Sequence, residues 1–170
     1  MAEDVVKCEM GGETVTIRPL RVTDVAMEAQ FVRQLSAQTR RYRFFGSIRE
    51  LSAAELKLLC DVDSQTSVAL VATILHDGQE SAIGVSRYAA SQVDGAREMA
   101  LTVADEWQYK GLADLLMTQL IDHAKANGVK QLYSVELAEN DTMRHFAQKF
   151  GMRAARDPQD AAQVIYSLNL

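Results

Sequence analysis

The chain has 170 residues, of which 48% are hydrophobic and 24% charged, the composition of one globular domain over 1–170 and not of a disordered or fibrous chain. Its formal net charge of −5 argues against nucleic acid or an anionic membrane as partner. Cys8 and Cys60 make neither a metal-ligand spacing nor a disulfide framework. No apolar run reaches the ~18–20 residues of a membrane helix, and Met1–Met10 lack a leader's basic and apolar regions, so the expected location is cytoplasmic.

The first expected strand is Thr14–Arg18, stopped by Pro19, which has no N–H to give a ladder. Thr23 is placed to cap a helix reaching about Leu35, and Ser36–Phe45 reads as a short second helix ending at Gly46. Ser52-Ala53-Ala54-Glu55 is a capping-box pattern ahead of Leu56, Leu58 and Leu59. The period then changes. Ser67–Leu75 is β-rich and almost wholly apolar, as in a strand covered on both faces. His76-Asp77-Gly78 is turn chemistry, Ala82–Ala90 returns, Asp94-Gly95 turns again, and Arg97–Ala104 completes an antiparallel meander. Leu112, Leu116 and Leu120 recur every four residues, with Ala113, Met117, Ile121 and Ala124 beside them, giving a helix over Gly111–Asn127. Gly128 supplies its left-handed stop. Gln131–Leu137 reads as a strand, Asp141–Phe150 as a helix closed by Gly151, and Val164–Leu168 as the last strand. This order is that of an α/β domain with a mixed sheet.

The chemistry concentrates between Glu98 and Ala113, where a strand, a short polar loop and the first turn of the long helix follow one another. A helix N-terminus offers unpaired N–H groups and the positive end of its dipole. Gly111 leaves room for close approach, and Lys110 adds charge. The pattern suits a phosphate-bearing ligand. On the residues alone, a plain strand-to-helix turn shaped by Gly111 stays an equal alternative.

Gln108-Tyr109-Lys110-Gly111-Leu112-Ala113 matches a Q/R-x-x-G-x-G/A pattern and resembles the GNAT acetyltransferases, in which that segment embraces the pyrophosphate of coenzyme A. Leu137-Ala138-Glu139-Asn140 with Met143, and Lys149-Phe150-Gly151-Met152, look like the second half of the same domain. Leu35-Ser36-Ala37-Gln38-Thr39-Arg40-Arg41-Tyr42-Arg43-Phe44-Phe45 is similar to a segment of the GNAT domain of bacterial protein lysine acetyltransferases. That domain is often fused to an acyl-CoA-synthetase-like or cyclic-nucleotide-binding module; here a free-standing version is expected.

The resemblance implies a mixed, mostly antiparallel central sheet flanked by helices and splayed at the cofactor site. It implies direct transfer of acetyl from acetyl-CoA to an amine, a protein lysine or a small molecule, without a metal. The implied cofactor contacts are Leu101, Thr102 and Val103 on the strand, then Gln108, Tyr109, Lys110, Gly111, Leu112, Ala113 and Asp114, with Asn140 on the pantetheine arm. A lysine amine with a pKa of ~10.4 must lose a proton near neutral pH, at a cost of about 4 kcal/mol. Glu98 stands where related enzymes carry the general base, with Glu136 on the neighbouring strand as the alternative. Backbone N–H groups around Val103 are expected to receive the thioester oxygen where the strands Glu98–Val103 and Gln131–Leu137 splay. Many relatives carry a tyrosine acid where this chain has Ala147; Tyr109 and Tyr133 lie elsewhere, so no general acid is assigned.

Arg40, Arg41 and Arg43, interleaved with Tyr42, Phe44 and Phe45, read as a helix with its rings inward and its arginines outward. His76, His123 and His145 read as structural or surface groups, Trp107 as packing beside the cofactor loop, and Cys60 as a buried thiol. A coenzyme A-binding module without turnover is the non-catalytic alternative, and either a monomer or a homodimer fits the chain.

Overall fold

In the computed structural model, which describes residues 4–46 and 48–170, a strand absent from the expected order opens the chain. Residues 1–3, part of the stretch read for a leader, lie outside the described residues. β1 (Val6–Met10) pairs antiparallel with β2 (Glu13–Pro19) across Gly11 and Gly12, which are left-handed at φ 60° and 81°. Then follow α1 (Val25–Gln34), α2 (Ala37–Phe44), α3 (Ala53–Cys60), β3 (Val68–His76), β4 (Gln79–Ala90) and β5 (Ala96–Val103). The second half is α4 (Leu112–Ala126), β6 (Gln131–Leu137), α5 (Asp141–Lys149), β7 (Arg153–Arg156) and β8 (Gln163–Asn169). The strands form one sheet in the order β1-β2-β3-β4-β5-β6-β8-β7, antiparallel except where β5 meets β6.

Local chemistry starts most helices as expected, with two corrections. α1 is not capped by Thr23, which lies inside a 3₁₀ turn over Val22–Asp24. The Asp24 carboxylate instead reaches back to the Arg21 N–H at 2.7 Å and pairs with buried Arg18 at 2.8 Å. α2 does start at Ser36, whose Oγ accepts the Thr39 N–H at 3.2 Å, but its left-handed stop is Phe45 (φ 58°), one residue before Gly46. α3 carries the expected capping box, Ser52 and Glu55 exchanging bonds of 3.2 and 2.8 Å.

Two apolar layers cover the sheet. On one face Leu112, Leu116, Met117, Leu120 and Ala124 of α4 are fully buried with Val15, Ile17, Leu70, Ala72, Met99 and Leu132 of the strands. Each large aliphatic contributes about 1.5–3 kcal/mol by leaving water. Gly84 on β4 permits the close approach, since a Cβ there would lie 2.8 Å from Leu116 Cδ1 and 3.3 Å from Leu112 Cδ2. On the other face Leu20, Phe31, Leu35, Cys60, Val71 and Val85 pack under α1 and α3. Burial pushes the Cys60 thiol up to about 11, which leaves it inert.

Candidate active site

The sheet itself opens the site. β5 and β6 run parallel and, among the described residues, share only the rungs Ala96↔Gln131, Arg97↔Leu132 and Glu98↔Tyr133. Beyond Glu98 the strands separate: β5 stays on β4 through Val103, while β6 stays on β8 through Leu137. The edge of β5 from Met99 to Val103 therefore faces a fork and not a strand. Backbone groups on such an edge are ready to bond a ligand.

At the open end of the fork, Asp105–Trp107 form a 3₁₀ turn and the chain curls into α4 through two left-handed residues, Tyr109 (φ 60°) and Gly111 (φ 89°). A left-handed tyrosine is uncommon, and its ring is exposed, with its hydroxyl 3.1 Å from Thr142 Oγ1 on α5. The first intrahelical bond of α4 runs from the Leu115 N–H to the Gly111 carbonyl at 3.2 Å. The N–H groups of Leu112, Ala113 and Asp114 thus precede the helical ladder and point at its N-terminal end. Chain neighbours apart, a Cβ on Gly111 would meet no described residue within 4 Å, so that side of the turn is open. Lys110 lies with Nζ 5.1 Å from the Trp107 ring, and Lys149 of α5 pairs with Asp114, offsetting the one acidic charge in the first turn. A helix N-terminus of this kind can take a phosphate group.

The remaining expected contacts divide. Thr102 and Val103 are buried and Leu101 half-buried along the fork. Leu112 is fully buried, so only its backbone is available to a ligand. Gln108 turns its amide inward, donating to the Val103 carbonyl at 3.1 Å and to Thr39 Oγ1 at 3.4 Å. Asn140 is buried at the start of α5, and its Oδ1 accepts the Met143 N–H at 3.1 Å, so the residue caps that helix. Ala147, where a tyrosine acid was sought, lies in the core at 1% exposure. The Tyr133 hydroxyl is 2.9 Å from Ser91 Oγ.

The two candidate bases differ in environment. Glu98 is exposed on the last rung before the fork. Glu136, farther along β6, is half-buried and accepts from Ser134 Oγ. Burial pushes the Glu136 carboxyl up to about 7, assisted by the like charge of Glu98 and opposed by Ser134 and Arg43.

The arginine-rich helix departs from the expected outward pattern. Arg43 is half-buried, lining a crevice with Glu28 and Phe31 of α1, Arg87 of β4, and Ala100 and Thr102 of β5, while Phe45 is the exposed ring at 43%. Water centres fit this crevice over only about 10 Å³, room for about one molecule. Burial, then the charge of Arg87, pushes the Arg43 guanidinium down to about 10, while Glu28, Glu136 and Glu98 favour its charged form. Glu28 accepts from Arg87 at 3.2 Å, and its other oxygen has no partner among the described residues. Sequence reasoning missed this group because Arg43, Glu28 and Arg87 come from three separate elements.

The fold and site together define an α/β domain whose mixed sheet forks at its parallel pair, beside a helix N-terminus able to take an anion. The profile described as "Acetyltransferase (GNAT) domain" matches residues 14–153, and the chain belongs to that family. It is 46% identical over 159 residues to an acetyltransferase of Pseudomonas aeruginosa, covering 94% of this chain and 86% of that one. It is similar in structure to the GNAT domain of S. lividans PAT, with a TM-score of 0.87 and 24% identity over 98% of this chain and 97% of that one. It also resembles the PaiA N-acetyltransferase of Thermoplasma acidophilum solved with coenzyme A, with a TM-score of 0.68 and 18% identity over 92% and 99% of the two chains. Among the described residues, no group of three or more His, Cys, Asp or Glu side chains is placed to hold a metal ion. No helix among them is long and apolar enough to cross a membrane.

Proposed function

We propose that this chain transfers the acetyl group of acetyl-CoA directly to the side-chain amine of a protein lysine, in the cytoplasm. The observation that carries the reading is the fork past Glu98, which has the Gly111 cradle at one end and two carboxylates beside it. Acetyl-CoA supplies an activated thioester. The chain holds its pyrophosphate on the N–H groups from Tyr109 to Asp114 and presents backbone N–H near Val103 to the thioester oxygen. Asn140 contacts the pantetheine arm through the amide nitrogen opposite its capping oxygen. What supports a protein lysine as acceptor is the segment Leu35–Phe45, which is similar to a segment of the GNAT domain of bacterial protein lysine acetyltransferases.

Glu98 is our proposed base, standing where the fork begins and able to take the ammonium proton directly or through water. A specific observation favours a second reading, in which Glu136 takes it. With a pKa of about 7, Glu136 is half ionised at neutral pH, where a general base is most effective. It would also be a weaker base than a thiolate whose thiol titrates at about 8.5. Returning the proton to departing coenzyme A is then downhill and needs no tyrosine.

Acetyl-CoA consumption across free amines, lysine peptides and lysate proteins, with mass spectrometry of the products, tests the reading. Acetyl-lysine in proteins at the highest kcat/KM is expected. A small amine as the best substrate overturns the lysine assignment, and binding of acetyl-CoA without turnover on any amine indicates the sensor reading.

A further inference from the structure

The segment Leu35–Phe45 stands out in the sequence, yet the acetyl-transfer reading uses none of its polar residues. The structure gives them a partner. Asp105, in the turn before the cofactor loop, accepts the Ser36 N–H at 2.8 Å on one oxygen, and the Ser36 and Thr39 hydroxyls at 2.7 and 2.8 Å on the other. Gln108, first residue of the loop motif, adds a 3.4 Å bond to Thr39. Burial would raise the Asp105 carboxyl, but the hydrogen bonds from Ser36 and Thr39 hold it below its ordinary range, so it is an anion bonded by three donors. Such bonds are about twice as strong as neutral ones. On the far side of the fork, Arg41 of the same helix pairs with Glu139, just before Asn140.

Ser36, Thr39 and Arg43 are spaced three and four apart, so they lie on one face of α2. That face meets β5. Arg43, one turn beyond Thr39, lines the crevice beside Ala100 and Thr102 of β5. The groups around Glu136 are Ser134 on its own strand, Arg43 from α2, Glu98 from β5 and Tyr166 from β8. Among the described residues Arg43 is the cation that acts on Glu136, while Arg144 of α5, paired with Asp141, acts on Tyr166.

We propose that Asp105, Ser36 and Thr39 form a clasp joining α2 to the cofactor loop, and that the clasp makes Asp105 and Thr39 positioning residues by holding Arg43 in the crevice beside Ala100 and Thr102, on the β5 edge of the fork. The clasp deepens the acetyl-transfer reading and rests on it for its role in turnover. Through it, order in the cofactor loop is coupled to the charge environment of the two carboxylates proposed as bases, Glu98 and Glu136.

Carboxyl NMR titration of Glu136 needs no turnover and reads the clasp directly, while acetyl-CoA turnover on peptides reads the function on which it rests. Arg43→Gln should raise the Glu136 midpoint, because the cation favours the ionised form. Thr39→Val and Asp105→Asn should raise it in the same direction, and Thr39→Ser, which keeps the hydroxyl, should restore the wild-type midpoint. Adding Thr39→Val to Arg43→Gln should raise it no further, since the two act through one path. In turnover, Thr39→Val should lower kcat/KM for the acceptor near neutral pH by up to about tenfold for each unit that the midpoint of the base rises, and by less at higher pH. Melting temperatures identify variants that fail to fold, and for these Thr39→Ser against Thr39→Val remains the decisive pair. A wild-type midpoint in folded Thr39→Val, or no change in Arg43→Gln, overturns the clasp. A shifted midpoint with no acetyl transfer by the wild type upholds the clasp and overturns the enzymatic reading.

Discussion

Replacing Glu136 by Gln should change the pH dependence of stability, and of the rate too if Glu136 is the base, with signs that follow from its surroundings. The carboxyl is raised from 4.5 to about 7 in the folded chain. A group raised on folding favours the folded state while protonated, and that advantage is lost as pH rises from the unfolded value through the folded one. The wild type should therefore lose stability between pH ~4.5 and ~7 through this residue, by at most about 3 kcal/mol for a shift of this size. Glu136→Gln removes that loss. Its stability relative to wild type should improve by roughly 2–3 kcal/mol on going from pH 5 to pH 8, or about 4–12 °C in Tm at this chain length. Urea and thermal melts of both proteins at the two pH values measure it. Identical pH dependence in the two proteins would refute the raised carboxyl, and with it the case for Glu136 as base. On the kinetic side, if Glu136 is the base, the acceptor-dependent rate should rise with a midpoint near 7, and Glu136→Gln should abolish that limb with a loss of about 10²–10⁴-fold. If Glu98 is the base, Glu98→Gln carries that loss and Glu136→Gln keeps turnover. In either case Glu98→Gln should move the Glu136 midpoint down, since it removes a like charge.

Gly111→Val meets no described residue beyond its chain neighbours but forces a β-branched residue to φ 89°, at about 1–3 kcal/mol of strain, and fills the space before the α4 N-terminus. Calorimetry should show acetyl-CoA affinity falling by more than tenfold, and an unchanged Kd would place the pyrophosphate elsewhere. Asn140→Ala removes the α5 cap, worth about 1 kcal/mol, and should raise the Michaelis constant for acetyl-CoA several-fold. Asn140→Ser keeps a capping oxygen but not the amide, so a raised constant in both variants marks a pantetheine contact, whereas a rise in Ala alone marks the cap.

What was legible in the sequence follows the range of the forces involved. α4 could be read from the four-residue recurrence of Leu112, Leu116 and Leu120, because one buried face repeats within one element. The meander could be read from turn chemistry at Asp77-Gly78 and Asp94-Gly95. β1 carried a signal that went unused: Gly11-Gly12 is hairpin chemistry, and Val6, Cys8 and Met10 alternate with Lys7 and Glu9. β7 carried almost none, since all four residues of Arg153–Arg156 are exposed and the strand exists through pairing with β8.

The electrostatics of the fork were the least legible part, for a definite reason. Local periodicity turns rings inward and arginines outward on α2, and for Arg41, exposed beside Glu139, it is right. It fails at Arg43, which shares a helix face with Thr39, and Asp105, which bonds Thr39 at 2.8 Å, stands 66 residues from it. Two carboxylates that look equivalent in sequence likewise diverge once β6 leaves β5. Glu98 stays at the exposed end of the shared rungs, while Glu136 is carried into a half-buried position beside Ser134. The number of rungs two strands share is set by the twist and packing of the whole sheet, so no window of the sequence contains it. In the folded sheet Glu98 is left exposed and Glu136 half-buried, and that burial raises the Glu136 carboxyl.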